Sequence, residues 1–273
     1  MSWSSRFSWL LLPLLLSGEP APVAAPGAGA RVVGEWIWTR ADARGFDELS
    51  RGTPSLVPAV HVATVQRDLV AHRALSPALV GERPVALVVR FDDSFHGAWD
   101  DGTALDVAPK LQTELRRVVD EARATGVTPT ELQLDYDAPV RRLSEWSEVV
   151  QRVAPALDVP VWVTSIPAHL SDPRYGERLR GAVAGHILQL FDTGWPCSAT
   201  NVARLASRLG RAGLPYRIGV GAFERRRQGR VTTDHGCWAR AADRFDGASR
   251  GRFVFPASVA PAAVARLLKE DDS

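Results

Sequence analysis

Residues 131–137 read Glu131-Leu132-Gln133-Leu134-Asp135-Tyr136-Asp137, and the fold turns on how they are read. In an extended strand successive side chains point to opposite faces. Leu132, Leu134 and Tyr136 therefore share one face, and Gln133, Asp135 and Asp137 share the other. The leucines suit packing against helices. The amide and the two carboxylates are left pointing into a barrel or its mouth. Buried carboxylates cost heavily unless paired or hydrogen-bonded, so this face needs partners. An interior ion-pair network with Arg90 is the purely structural way to supply them.

Working outward, seven more β-prone runs recur at intervals: 34–40 (GEWIWTR), 59–65 (AVHVATV), 84–91 (PVALVVRF), 159–166 (VPVWVTSI), 185–191 (GHILQLF), 215–222 (PYRIGVGA) and 252–256 (RFVFP). Between several of them lie helical periods. Leu111, Leu115, Val118, Val119 and Ala122 form one, and Leu143, Trp146, Val149, Val150 and Val153 another. Val202, Leu205 and Leu209 form a third, and Val259, Ala263, Leu267 and Leu268 a last. Helical signal is weak between the second and third strands and between the seventh and eighth. Strand–helix alternation implies parallel pairing through crossovers. Eight such units at about thirty residues each match a (β/α)8 barrel. An open doubly wound sheet is the competitor, but neither GxGxxG after the first strand nor GxxxxGK[ST] is present. The expectation is α/β: a single TIM-like barrel over 31–273, with no linker.

Residues 1–30 read differently. Arg6 precedes the apolar run Phe7–Leu16, and a Gly/Pro/Ala-rich stretch runs on to Ala30. This is the pattern of a secretory signal and leader. The apolar core would span only about 15 Å as a helix, about half a bilayer, so no permanent membrane span is expected. The expected location is exported, periplasmic or extracellular. An oxidising compartment permits a disulfide between Cys197 and Cys237, with two free thiols as the alternative. No CxxC and no Cys/His cluster occurs, so no structural zinc and no cofactor are expected. The 273 residues carry a net charge of only +2, which offers no case for nucleic acid as a partner. Oligomeric state is not legible.

In a β/α barrel chemistry sits at the C-terminal strand ends. Those ends supply Asp135 and Asp137, Arg90 with Asp92 and Asp93, Gln189, Asp192 and Glu224. Trp36 and Trp38 lie on the first strand and Trp195 on a loop, whereas Trp146 and Trp162 read as core. Aromatic faces stack on the C–H faces of sugars, while carboxylates and amides bind hydroxyls. Together they describe a pocket for a glycan or another polar small molecule.

The segments GEWIWTR, VALVVRFDD, LQLDYDAP, VWVTSIPAHL and HILQLFDT resemble an uncharacterised bacterial family, domain of unknown function 3142. The resemblance spans most of 34–258 and implies kinship with barrel-type glycoside hydrolases, with no established reaction. Chitinase-type glycosidases end their fourth strand in D-x-D-x-E, the glutamate protonating the leaving oxygen. Laid on that pattern, this chain has Gln133, Asp135 and Asp137, departing at both outer positions. An aspartate withdraws its carboxyl by about 1.5 Å, and misplacement on that scale can cost about a hundredfold in rate.

The reading is an exported carbohydrate-active protein, a glycoside hydrolase with Asp137 as general acid beside Asp135. Asp92 or Glu224 would supply a second carboxylate, or a substrate amide would assist. Gln133, Trp36, Trp38, Arg90, Gln189, Asp192 and Trp195 would bind substrate. The alternative is a non-catalytic exported glycan-binding protein on the same barrel. Metal-dependent deacetylation is disfavoured, because the six histidines show no H-x-x-x-H spacing.

Overall fold

Eight strands form the frame: β1 Val32–Ile37, β2 Val57–Val65, β3 Val85–Phe91, β4 Pro129–Asp135, β5 Val161–Ser165, β6 Gly185–Gln189, β7 Tyr216–Gly221 and β8 Ser249–Phe255. Each pairs in parallel with the next, and β1 also pairs with β8, which closes the sheet on itself. The chain is thus an α/β protein with a closed eight-stranded parallel barrel. This is a computed structural model; it describes residues 31–223, 226–227, 230–231, 235–242, 245, 248–257 and 261–269. The leader at 1–30 and Glu224 lie outside the described residues.

The outer ring holds α1 Arg40–Gly52, α2 Ala104–Ala124, α3 Leu143–Val153, α4 Tyr175–Leu179, α5 Ala199–Ala212, α6 His235–Ala242 and α7 Pro261–Lys269. The weak helical signal between β2 and β3 has a structural counterpart. There the chain adds an antiparallel strand, Ala71–Arg73, along β2 and then a 3₁₀ turn at Pro77–Val80. Helix α1 offers sequence only a thin apolar stripe: it buries Asp42, Ala43, Phe46 and Ser50 and packs Leu49 against the core. A capping box starts it instead: Thr39 accepts from the Asp42 amide while Asp42 accepts from the Thr39 amide.

Two apolar layers result. The outer one packs α2 residues Leu111, Leu115, Val118 and Val119 with strand residues such as Leu87, Val89, Leu132 and Leu134. The inner one fills the barrel with Trp36, Ala59, Ala86, Val88, Trp162, Ile187 and Phe253. Indoles fit there because neighbouring strands lack side chains at facing positions. A Cβ at Gly219 would lie 2.7 Å from Trp36 Cη2, inside van der Waals contact. Below the mouth runs a polar chain. Arg217 pairs with Glu131 at 2.5 Å, Gln133 Nε2 donates to Glu131 at 2.8 Å, and Trp36 Nε1 donates to Gln133 Oε1 at 2.7 Å. Arg217 also lies 3.7 Å from the Trp162 ring centre, close enough for a cation–π contact in a dry interior.

Candidate active site

Tyr136 fixes the exit of β4. Its ring packs outside the barrel against Phe91, Phe95 and Trp146, and its backbone N–H donates to Thr164 Oγ1 at 3.0 Å. Its hydroxyl accepts from Trp99 Nε1 at 3.2 Å and lies 2.8 Å from His96 Nδ1. With Tyr136 held outward, alternation turns Asp135 and Asp137 toward the barrel mouth.

The two aspartates meet different surroundings. Asp135 is buried, and each of its oxygens has a partner. Arg90 Nη1 donates to Oδ2 at 3.1 Å and Gln189 Nε2 to Oδ1 at 2.9 Å, a network that ties β3, β4 and β6 together. Burial pushes the Asp135 carboxyl above its usual range, opposed by Arg90 and by hydrogen bonds from Thr164 and Gln189. Arg90 is itself half-open and lies 5.4 Å from the Trp38 ring centre. The His61 ring stacks on Trp38 at 4.3 Å; burial first, and Arg90 second, push its pKa down to about 4. The imidazole is therefore neutral at physiological pH.

Asp137 is exposed and has no hydrogen-bond or ion-pair partner among the described residues. Packing on its inner side, then the charge of Asp135, raise its carboxyl to about 6; Asp93 adds to the shift and Arg90 opposes it. Solvent at the open edge screens part of the charge effects. The result is a carboxyl that reaches solvent and exchanges its proton near neutral pH, the property a general acid needs.

Both carboxyls line one cavity of about 550 Å³ at the C-terminal mouth of the barrel. Its polar wall is Arg90, Asp135, Asp137, Gln189, Asp192 and Thr193; its apolar wall is Trp36, Trp38, Ile166, Phe191 and Phe255. Trp36 is 3% exposed, stacked on Phe253 at 5.5 Å, so it presents an edge as floor. Trp38 is less buried and stands at the side, with Phe255 edge-on at 5.7 Å.

Of the residues picked out in the sequence, Asp135, Asp137, Trp36, Trp38, Arg90, Gln189 and Asp192 are brought together in this cavity. Gln133 lies one layer beneath, fully buried, with oxygen and nitrogen both engaged. Asp92 does not line the cavity; its Oδ1 caps the turn 93–97 by accepting from Ser94 N, Ser94 Oγ and Phe95 N. Trp195 sits further along the β6 loop under Arg208, whose guanidinium is 5.2 Å from its ring centre. Cys197 and Cys237 are joined as a disulfide, bracing that loop against α6. Phe191, Phe255, Ile166 and Thr193 were not foreseen. The two phenylalanines end or adjoin recognised strands, so searching those ends for aromatics as well as acids would have found them. Among the described residues no cluster of three or more His, Cys, Asp or Glu is placed to hold a metal ion, and no helix is long and apolar enough to cross a membrane.

No family model matches the chain, and no curated protein sequence matches it either. Solved structures do. The spore cortex-lytic enzyme SleL of Bacillus megaterium superposes with TM-score 0.59 at 9% identity, covering 89% of this chain and 74% of that one. A fungal endo-beta-N-acetylglucosaminidase of glycosyl hydrolase family 18 gives TM-score 0.58 at 10% identity, over 87% and 96% of the two chains. The tamarind chitinase-like lectin gives 0.51 at 8%, over 88% and 98%. At such identities the likeness is one of fold: a glycosidase-like barrel, shared by enzymes and by a lectin.

Proposed function

We propose that this barrel is an exported glycoside hydrolase whose general acid is Asp137. The observation that carries the reading is the contrast between its two aspartates. Asp135 is buried and tied by Arg90 and Gln189; Asp137 opens into an aromatic-walled cavity with its carboxyl raised to about 6. Paired carboxyls pushed into separate roles by their surroundings are how acid chemistry runs near neutral pH. Asp137 would donate its proton to the glycosidic oxygen as the bond to the anomeric carbon breaks. Asp135 would stay in place, its charge keeping that proton on Asp137. Gln189 and Arg90 would meet ring hydroxyls, and Trp38 with Phe191 and Phe255 would pack on the sugar faces. We place the protein outside the cytoplasm, on the leader pattern at 1–30 and the Cys197–Cys237 bond. We also assign the chain to domain of unknown function 3142, on the quoted motifs.

Reducing-sugar release from a broad panel of neutral and N-acetylated glycans tests the reading. Wild-type protein is expected to cleave at least one of them, and Asp137→Asn to lose about a hundredfold to ten-thousandfold of that rate. Asp137→Asn matching wild type on that substrate would refute the assignment.

One observation favours a second reading, a glycan-binding protein without turnover: the Arg90–Asp135 pair already occupies one wall of the cavity with a satisfied network. Saturable binding without cleavage across the panel, weakened by Trp38→Ala, is the outcome that reading requires.

A further inference from the structure

We infer that His169 is a positioning residue for Asp137: it clamps the loop that carries the acid to the loop on the neighbouring wall of the cavity, an inference resting on the glycosidase reading above. Asp137 has no hydrogen-bond or ion-pair partner among the described residues, so its carboxyl goes where its backbone and packing put it. That backbone is a tight three-residue turn, 136–138, closed by the Ala138 N–H donating to Tyr136 O at 2.8 Å. Two bonds from β5 and its exit loop hold the turn, one on each side of Asp137. Before it, Thr164 Oγ1 accepts from the Tyr136 N–H at 3.0 Å. After it, His169 Nε2 donates to Ala138 O at 2.7 Å.

The other ring nitrogen serves the second loop. His169 Nδ1 accepts from the Ile166 N–H at 3.4 Å, and the His169 N–H donates to Ile166 O at 3.0 Å. Ile166 and Asp137 both line the cavity. One buried imidazole thus joins the β4 exit to the β5 exit, immediately behind two residues of the cavity wall. A ring that donates from Nε2 and accepts at Nδ1 is the neutral form. Burial pushes its pKa down to about 4, against the pull of the Ala138 bond. The clamp therefore keeps that form across the range in which Asp137, raised to about 6, exchanges its proton.

A buried carbonyl needs a partner wherever it lies, so the bond to Ala138 also serves folding. Its place gives it a second consequence, because the carbonyl it holds is one residue from the acid. Misplacement of a catalytic group by about 1 Å can cost about a hundredfold in rate. Asp135, Arg90 and Gln189 are held by their own network, so losing the His169 bond disturbs the proton donor and leaves the rest of the cavity wall in place.

The experiment uses full-length protein, the glycan cleaved by wild type and the matching 2,4-dinitrophenyl glycoside, whose leaving group departs without a proton. In His169→Asn the side chain ends near the Nδ1 position and falls short of Ala138; in His169→Gln an amide N–H reaches the Nε2 position. His169→Asn is expected to lose about tenfold to a hundredfold in kcat/KM on the glycan, and to stay within about threefold of wild type on the dinitrophenyl glycoside. His169→Gln is expected to recover most of that loss. His169→Leu, which fills the buried site without a donor, should repeat the His169→Asn result and serves in its place if His169→Asn does not fold. Asp137→Asn sets the scale, losing the glycan and keeping the dinitrophenyl glycoside. Wild-type rates in His169→Asn and His169→Leu, equal losses on the two substrates, or equal losses in His169→Asn and His169→Gln would overturn the role of His169. The Asp137→Asn contrast would still leave the glycosidase reading standing. Absence of turnover by wild type across the whole panel would overturn both.

Discussion

Two aspartates two positions apart acquire opposite properties here, and each difference traces to a named contact. Asp135 is held by a guanidinium and an amide; Asp137 is left open beside it. Because Asp137 must be protonated to act, activity should fall as pH rises through its value of about 6, and a pH–rate profile measures this. A profile flat from well below to well above that value would argue against Asp137 as the acid. Removing the cation from the other aspartate should be felt in folding. Arg90→Leu strands a buried carboxylate and should lower stability by roughly 3 kcal/mol, the low end for a buried pair because Arg90 is half-open. Urea unfolding checks the value, and the double variant with Asp135→Asn should recover most of the loss. That Asp135 and Asp137 share a face was legible from strand alternation alone. That one would be locked and the other open was not. The locking partners Arg90 and Gln189 lie 45 and 54 positions away from Asp135, and only barrel closure brings them to it.

The elements that sequence reveals are those with a strong apolar period. All eight strands and helices α2, α3 and α5 stand out because each buries a continuous stripe. Helix α1 does not, because its apolar stripe is thin, only Ala43, Phe46 and the half-buried Leu49, and a capping box fixes its start. The interior glycines were likewise unreadable, since their meaning depends on the indole across the barrel. Gly219→Ala should drive the Trp36 ring from its seat, lower stability by about 1–3 kcal/mol and weaken ligand binding at the cavity floor. Unchanged melting and binding would show that Trp36 has room to spare. The disulfide acts at the same scale. It closes a span of 40 residues that includes the loop, α5 and β7, and in the chain-entropy description contributes about 4 kcal/mol. The Cys197→Ala, Cys237→Ala pair should therefore melt on the order of 10 °C lower than wild type. An unchanged melting temperature would mean that the bond adds nothing to the brace.

Across the whole molecule, stability should vary with pH through buried titratable groups beside the site and beyond it. Burial first and Asp42 second push the Glu35 carboxyl from 4.5 up to about 8, and its Oε2 has no hydrogen-bond partner among the described residues. Between those values the folded protein keeps a proton that the unfolded chain has released, so stability falls as pH rises from about 4.5 to about 8. His61, His169 and His186 work in the opposite sense. Burial pushes them from 6.5 down to about 4, about 4 and about 3, so stability falls as pH drops below 6.5 and the unfolded chain takes up protons. Melting temperature should peak at about pH 6–7, and Glu35→Gln should flatten the alkaline side; a variant with the same alkaline slope as wild type would remove Glu35 from this account. What most directly tests the site is reducing-sugar release from the glycan panel by wild-type protein and Asp137→Asn, compared from well below to well above pH 6. Cleavage that declines above that pH in wild type and collapses in the variant is the predicted result. Equal cleavage by the two proteins would contradict it.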